Sequence, residues 1–291
     1  MKVLLYGHGW IGDQFIEILK KQNINYKVSN VKVDLKLKSQ ILQEINDYNP
    51  TNIISFIGRT HGKINEKYYS TIDYLEQDEK LFENMRDNFI GPQILASICE
   101  EKNIHFTYMG TGCIFTYKEN DLKYKFIEDD EPNFFGSSYS IIKGYTDKIM
   151  HSYKNTLNLR IRMPIIYEDN PRNFITKITN YEKICSISNS MTVLPELLPL
   201  IIDLMKMDYK GTLNFTNPGV ISHNEILEMY KEYVDNSFEW KNFSIDEQNK
   251  ILASKRSNNH LDTTKLESLF PQINNIKTSI RNLLKNYNKK L

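Results

Sequence analysis

The sequence has 291 residues, with 37 Lys and Arg against 36 Asp and Glu, and a formal net charge of +1. A chain so balanced carries no electrostatic footprint for nucleic acid or a membrane surface, which leaves small neutral or anionic molecules as ligands. Three widely spaced cysteines make neither a disulfide framework nor a metal cluster, and there is no signal peptide or transmembrane run, so a soluble, reduced, cytoplasmic, metal-free protein is expected.

Lys2 to Tyr6 reads as a short buried strand, and Gly7, Gly9 and Gly12 of GHGWIG follow it directly. Ile11, Phe15, Ile18 and Leu19 then recur at helical spacing. Strand, glycine turn and helix together form a dinucleotide-binding unit, in which glycines let the backbone approach a pyrophosphate seated on a helix N-terminus. Gly7, Gly9, Trp10, Ile11 and Gly12 are therefore expected to contact the cofactor. The second strand, Tyr26 to Val28, ends in Ser29 and Asn30 with Lys32 close by, and no carboxylate stands at its end. That favours NADPH, whose 2′-phosphate a lysine or serine accepts, over NADH as the alternative; Asp34 falls later, in the loop near the adenine.

Asn52 to Ile57 is an apolar strand ending at Gly58, Phe89 to Cys99 reads as a helix, and Phe106 to Met109 is a strand delivering Thr111 and Cys113. Leu157 to Met163 is a further strand, stopped by Pro164. This alternation predicts a doubly wound α/β Rossmann domain with a parallel sheet. Ligands of such sheets bind beyond the carboxyl ends of the strands, where Gly7, Gly58, Thr111 and Pro164 all fall, so Gly58 and Pro164 join the cofactor contacts. Beyond Pro164 come loops carrying Arg172, Asn173, Lys177 and Asn189, then a helix over Leu194 to Met207 and a strand over Thr212 to Phe215. The predicted division is a Rossmann domain over 1–165, with 192–216 packing back onto it, and a smaller C-terminal substrate-binding lobe over 166–291.

Tyr139 and Lys143 of YSIIK are four residues apart, so on a helix both leave the same face. A free tyrosine titrates near ~10, and a neighbouring ammonium is expected to pull it toward the working range. Tyr139 then donates a proton to a carbonyl oxygen, while Thr111 of GTGCIF hydrogen-bonds the same atom. A reductase needs no thiol, so Cys113 points to a second reaction. Protons beside a ketone are acidic because the enolate places charge on the carbonyl oxygen, and inversion takes a proton from one face and returns one to the other. Cys113 is read as one partner of that exchange, against the plain alternative of a small buried hydrophobe, the reading given to Cys99. The residues alone leave Lys177 and Lys183 open as the other partner.

Longer blocks carry a resemblance: TGCIF at Thr111 to Phe115, NPRNFITKI at Asn170 to Ile178, NSMTVLPELLP at Asn189 to Pro199, NFTNPGVISHNEILEMY at Asn214 to Tyr230, and RSNN at Arg256 to Asn259. The chain resembles the extended short-chain dehydrogenase/reductases, and within them the bifunctional 3,5-epimerase/4-reductases of UDP-L-rhamnose synthesis. The resemblance implies Thr111, Tyr139 and Lys143 as the reductase triad and Cys113 with Lys177 as the epimerisation pair. It further implies Arg256 as a diphosphate contact, with Asn173 and Asn189 also on the substrate, which is a UDP-linked 4-keto-6-deoxy sugar. A homodimer and a separate 4,6-dehydratase upstream come with it. Two departures stand out: the family's glycine turn usually has one more residue than GHGWIG, and its second strand often ends in an arginine.

Overall fold

In β1 (Lys2–Tyr6), Val3 and Leu5 point to one face and Leu4 and Tyr6 to the other, and all four are buried. A strand apolar on both sides belongs inside a sheet covered by helices on both faces. The structure, a computed structural model, describes residues 1–118, 121 and 123–287. α1 (Trp10–Lys21) covers the first face with Phe15, Ile16 and Leu19. After β2 (Asn25–Val28), α2 (Lys38–Tyr48) covers the second with Ile41 and Ile45. β3 (Asn52–Ser55) is followed by a hairpin, β4 (Gly62–Ile64) and β5 (Lys67–Tyr69), that rises from the end of the sheet. Next, α3 (Lys80–Met85) runs through a π turn over Arg86–Ile90 into α4 (Gly91–Glu101), so the expected Phe89 to Cys99 helix starts inside an irregular turn.

β6 (His105–Thr111), the short β7 (Lys125–Phe126), α5 (Ser138–Met150) and β8 (Thr156–Ile161) complete this half. β8 stops two residues before the predicted end, and Met163 takes a left-handed φ of 41° ahead of β9 (Pro164–Ile165). There follow α6 (Phe174–Thr179), β10 (Thr192–Val193), α7 (Leu194–Lys206) and β11 (Gly211–Asn214). The chain finishes with α8 (His223–Tyr233), α9 (Ile245–Ile251), β12 (His260–Leu261), α10 (Thr264–Leu269) and α11 (Ile276–Lys285).

The six-stranded sheet has the order β11-β8-β6-β3-β1-β2, with every pairing parallel. The order reverses between β1 and β3, which opens a crevice at their carboxyl ends and places GHGWIG in it. β11 pairs with β8, and α7 packs Leu197, Leu198 and Ile201 into the cluster that holds Phe15 and Leu159. The lobe beyond β9 has its own core of Ile165, Ile175, Ile178, Ile226, Leu227 and Ile280. Among the described residues, no helix is long and apolar enough to cross a membrane.

The asparagine-rich blocks are explained by burial. Asn214 and Asn217 are fully enclosed, and Asn217 accepts from the Val193 amide at 2.8 Å while donating to Glu196 at 2.9 Å and to Ser279 at 3.1 Å. An amide that is both donor and acceptor satisfies irregular backbone where no ladder exists. Glu196, in the first turn of α7, also accepts from the Ser279 hydroxyl at 2.7 Å.

Candidate active site

The three glycines of GHGWIG meet three separate steric demands. Gly7 has φ +89°, and a Cβ there would lie 2.6 Å from the Ile57 nitrogen; one on Gly12 would lie 2.7 Å from the Gly7 carbonyl oxygen. A Cβ on Gly9 would meet nothing within 4 Å, and Gly9 begins α1 without a side-chain cap. The first and third glycines hold the turn and helix tight, and the second leaves unblocked amides facing open space, which is what a pyrophosphate requires. Trp10 and Ile11 pack against the core behind them. These residues fit a dinucleotide.

Gly58 is held from below by Asn88, a residue the sequence did not single out. The Asn88 amide accepts from the Arg59 nitrogen and donates to the Arg59 carbonyl, both at 2.9 Å, and donates to Asn84 at 2.8 Å. It sits in the π turn, where an extra residue per turn aims a side chain inward. Pro164 opens β9 and is half-buried. At the end of β2, a carboxylate does stand beside Ser29, contrary to the sequence reading: Glu44 of α2 accepts from the Ser29 hydroxyl at 2.5 Å and from the Tyr6 hydroxyl at 3.0 Å. Lys27 pairs with it at 3.2 Å. Ser29 is thus committed to Glu44, while Lys32 is exposed.

Thr111 ends β6, and its Oγ1 accepts from the Cys113 amide at 3.1 Å. α5 starts with a Ser137 cap on the Ser140 amide at 3.0 Å, and the Ser140 hydroxyl donates to the Cys113 carbonyl at 2.7 Å. That bond fastens the first turn of α5 to the Cys113 turn, so Tyr139, Thr111 and Cys113 share one pocket. Burial, then the Cys113 charge, pushes the Tyr139 phenol above its ordinary range, against the Thr111 hydrogen bond and the Arg172 charge. Burial also lowers Lys143 to about 7, opposed by Asp147 and Cys113. The expected pull of Lys143 on Tyr139 is therefore not what dominates here. The Lys143 ammonium donates instead to the Tyr108 hydroxyl, with the Met109 carbonyl at 3.5 Å, and burial is the largest influence on both groups.

Tyr108 has a testable consequence. An acceptor on the ammonium favours its charged form, so Tyr108→Phe is expected to lower the Lys143 pKa further. The charged lysine is present below that pKa and lost above it, so the alkaline limb of the kcat/KM profile for reduction moves to lower pH, by roughly one pH unit for ~1.4 kcal/mol. An unmoved limb removes Tyr108 from the site.

The turn between Thr111 and Cys113 rests on Arg162, which is completely buried. Its guanidinium donates to the carbonyls of Gly112 at 2.9 Å, Ser257 at 3.1 Å and Ser190 at 3.3 Å, to the Ser257 hydroxyl at 2.8 Å and to Asn189 at 2.7 Å. A Cβ on Gly112 would lie 3.0 Å from the Arg162 side chain. The sequence signal was available: arginines at 160 and 162 interrupt an otherwise apolar strand on alternate residues, where an unpaired charge is costly. Arg160 is matched by Asp147 at 2.6 Å.

Asn189 and Asn173 are both fully enclosed. Asn189 serves Arg162, Asn258 at 2.8 Å and the Asn259 amide at 2.9 Å; Asn173 caps α6 and donates to the Glu168 carbonyl at 2.8 Å. Both are thus held by hydrogen bonds within the protein, Asn189 under the Arg162 guanidinium and Asn173 at the start of α6.

Lys177 and Lys183 separate clearly. Lys183 is exposed, whereas Lys177 is half-buried and donates to the Ser70 carbonyl, just beyond β5, at 3.3 Å. Burial, then Arg172 and Arg256, lowers the Lys177 amine to about 8. Arg256 does reach this region, but is held by Asp73 at 2.5 Å and by the Ser254 carbonyl at 3.1 Å. Burial alone raises the Asp73 carboxyl, yet the Arg256 bonds and charge, with the Thr71 and Ser254 hydroxyls, hold it below its usual range.

The profile of the RmlD substrate binding domain matches residues 1–289. The crystal structure of a UDP-rhamnose synthase from Acanthamoeba polyphaga mimivirus superposes with a TM-score of 0.93 at 49% identity, covering 98% of this chain and 99% of that one. A bifunctional dTDP-4-dehydrorhamnose 3,5-epimerase/dTDP-4-dehydrorhamnose reductase of Arabidopsis thaliana is 42% identical over 99% of this chain and 93% of its own. A trifunctional UDP-glucose 4,6-dehydratase/UDP-4-keto-6-deoxy-D-glucose 3,5-epimerase/UDP-4-keto-L-rhamnose-reductase of the same plant is 43% identical over 96% of this chain, which spans only 41% of that protein. With a family match along almost its whole length and relatives at such identity, the chain belongs to the RmlD substrate-binding-domain family.

Proposed function

We propose that this chain is an NADPH-dependent epimerase-reductase that inverts UDP-4-keto-6-deoxy-D-glucose at C3 and C5 and reduces C4, giving UDP-β-L-rhamnose. The observation that carries the reading is the Ser140 bond to the Cys113 carbonyl at 2.7 Å, which seats a thiol in the pocket of a ketone-reducing Thr/Tyr/Lys set. The similarity to the mimivirus UDP-rhamnose synthase and to the Arabidopsis epimerase/reductases supports it.

Cys113 and Lys177 are assigned the two faces of the sugar ring, one taking the proton beside the ketone while the other returns one. Thr111 and Tyr139 hydrogen-bond the C4 oxygen, and Tyr139, kept protonated by burial, gives it a proton during reduction. Lys143 orients this end of the pocket. NADPH, seated on Gly7, Gly9 and Gly12, supplies the hydride. Lys32 is assigned to the 2′-phosphate, and Arg256, once released from Asp73, to the diphosphate. The ketone comes from a 4,6-dehydratase, an activity that in the trifunctional plant relative belongs to the same protein. A cytoplasmic homodimer is proposed, with Leu81 and Phe82 of α3 and Phe135 before α5, all more than half exposed, at its interface.

The test is NADPH consumption over a panel of nucleotide-linked 4-keto-6-deoxy sugars. The UDP sugar is expected to show the highest kcat/KM. Turnover of the dTDP sugar alone would reassign the nucleotide, and no turnover of either would reject the reading.

A further inference from the structure

Arg172 makes no ion pair among the described residues. It is half-buried, and its Nη2 donates to the Thr60 hydroxyl at 3.2 Å. Its Nη1 is buried and has no hydrogen-bond partner among the described residues. Around it stand the Tyr68 and Tyr139 hydroxyls and the cations Arg59 and Lys177. Burying a cation beside other cations is costly, and the cost is recovered only when an anion arrives.

The neighbours say which anion. Arg172 acts on Tyr139 at one end and on Lys177 at the other, while Lys177 also feels Arg256. Arg172 is thus within electrostatic reach of both Tyr139 and Lys177. With Arg256 assigned to the diphosphate, Arg172 is assigned to the ketone.

We propose that Arg172 is a catalytic residue of the inversion step, its free Nη1 donating to the C4 oxygen and stabilising the enolate formed at each proton removal. The inference rests on the epimerase-reductase reading above. As the base takes the proton from C3 or C5, the C–H electron pair forms a C=C bond to C4 and the carbonyl π pair moves onto the C4 oxygen. The acid then protonates the carbon from the opposite face and the pair returns. Arg172 neither gains nor loses a proton; it holds the charge that Thr111 and Tyr139, as neutral donors, meet only in part.

The test is the rate of deuterium entry into C3 and C5 of the UDP 4-keto sugar in deuterated water, with NADP+ bound so that the ketone is not drained. Arg172→Gln is expected to lower this rate at saturating substrate by at least ~10²-fold, as for loss of an oxyanion donor. Substrate affinity by titration should change far less, and added guanidinium should restore part of the rate. Arg172→Lys keeps the charge but not the fork, and should lie between. Exchange at the parental rate in Arg172→Gln overturns the proposal, as does a loss confined to affinity, which would make Arg172 a phosphate ligand. If the parent chain exchanges no deuterium into either carbon, the functional reading itself fails and takes this inference with it.

Discussion

Tyr139→Phe is expected to abolish ketone reduction while the cofactor still binds. The ring packs against Tyr74 and Leu75, contacts that phenylalanine keeps, so the pocket retains its shape. Only the hydroxyl is lost, and with it the proton for the C4 oxygen. Removing a positioned general acid costs roughly 10²-fold or more, or ~2.7 kcal/mol of barrier. NADPH binding by titration should stay within a few-fold of the parent. A variant that reduces at a near-parental rate would take Tyr139 out of the mechanism.

Cys113→Ala should separate the two reactions. Among the described residues both hydrogen bonds of Cys113 are made by its backbone, from its amide to Thr111 at 3.1 Å and from Ser140 to its carbonyl at 2.7 Å, so alanine preserves the turn and deletes only the thiol. Deuterium entry at C3 and C5 should fall by ~10²-fold or more, the scale of a lost acid or base. Thr111, Tyr139 and Lys143 stay in place, and slow reduction of the uninverted ketone is expected, giving a 6-deoxyhexose of the wrong configuration. Lys177→Ala should block inversion as well, because exchange at one face inverts nothing. Parental inversion by Cys113→Ala would return the cysteine to packing.

What the sequence made legible was local. GHGWIG announced its turn because each glycine answers a steric demand within a few residues, and the apolar runs of β1, β6 and β8 announced a covered parallel sheet. Tyr139 and Lys143 were readable for the same reason, being one helical turn apart. Supports recruited across long stretches of chain were not readable. Arg162 draws on Ser257, 95 residues away, and Asn88 on Arg59, 29 residues away. Glu44 reaches Ser29 from the neighbouring helix, so a carboxylate absent from the strand end in sequence is present there in space. The reversed expectation for Lys143 has a related origin. Spacing predicts that two side chains share a face, but not that a third, Tyr108, takes the hydrogen bond, nor that burial dominates both groups.

The central claim, that one pocket both inverts and reduces, is tested most directly on the purified chain with UDP-4-keto-6-deoxy-D-glucose and NADPH in deuterated water. The account predicts consumption of NADPH and a UDP-rhamnose product labelled with deuterium at both C3 and C5, with protium at C4. A C4-reduced product that keeps protium at C3 and C5 and the configuration of the starting sugar would contradict it.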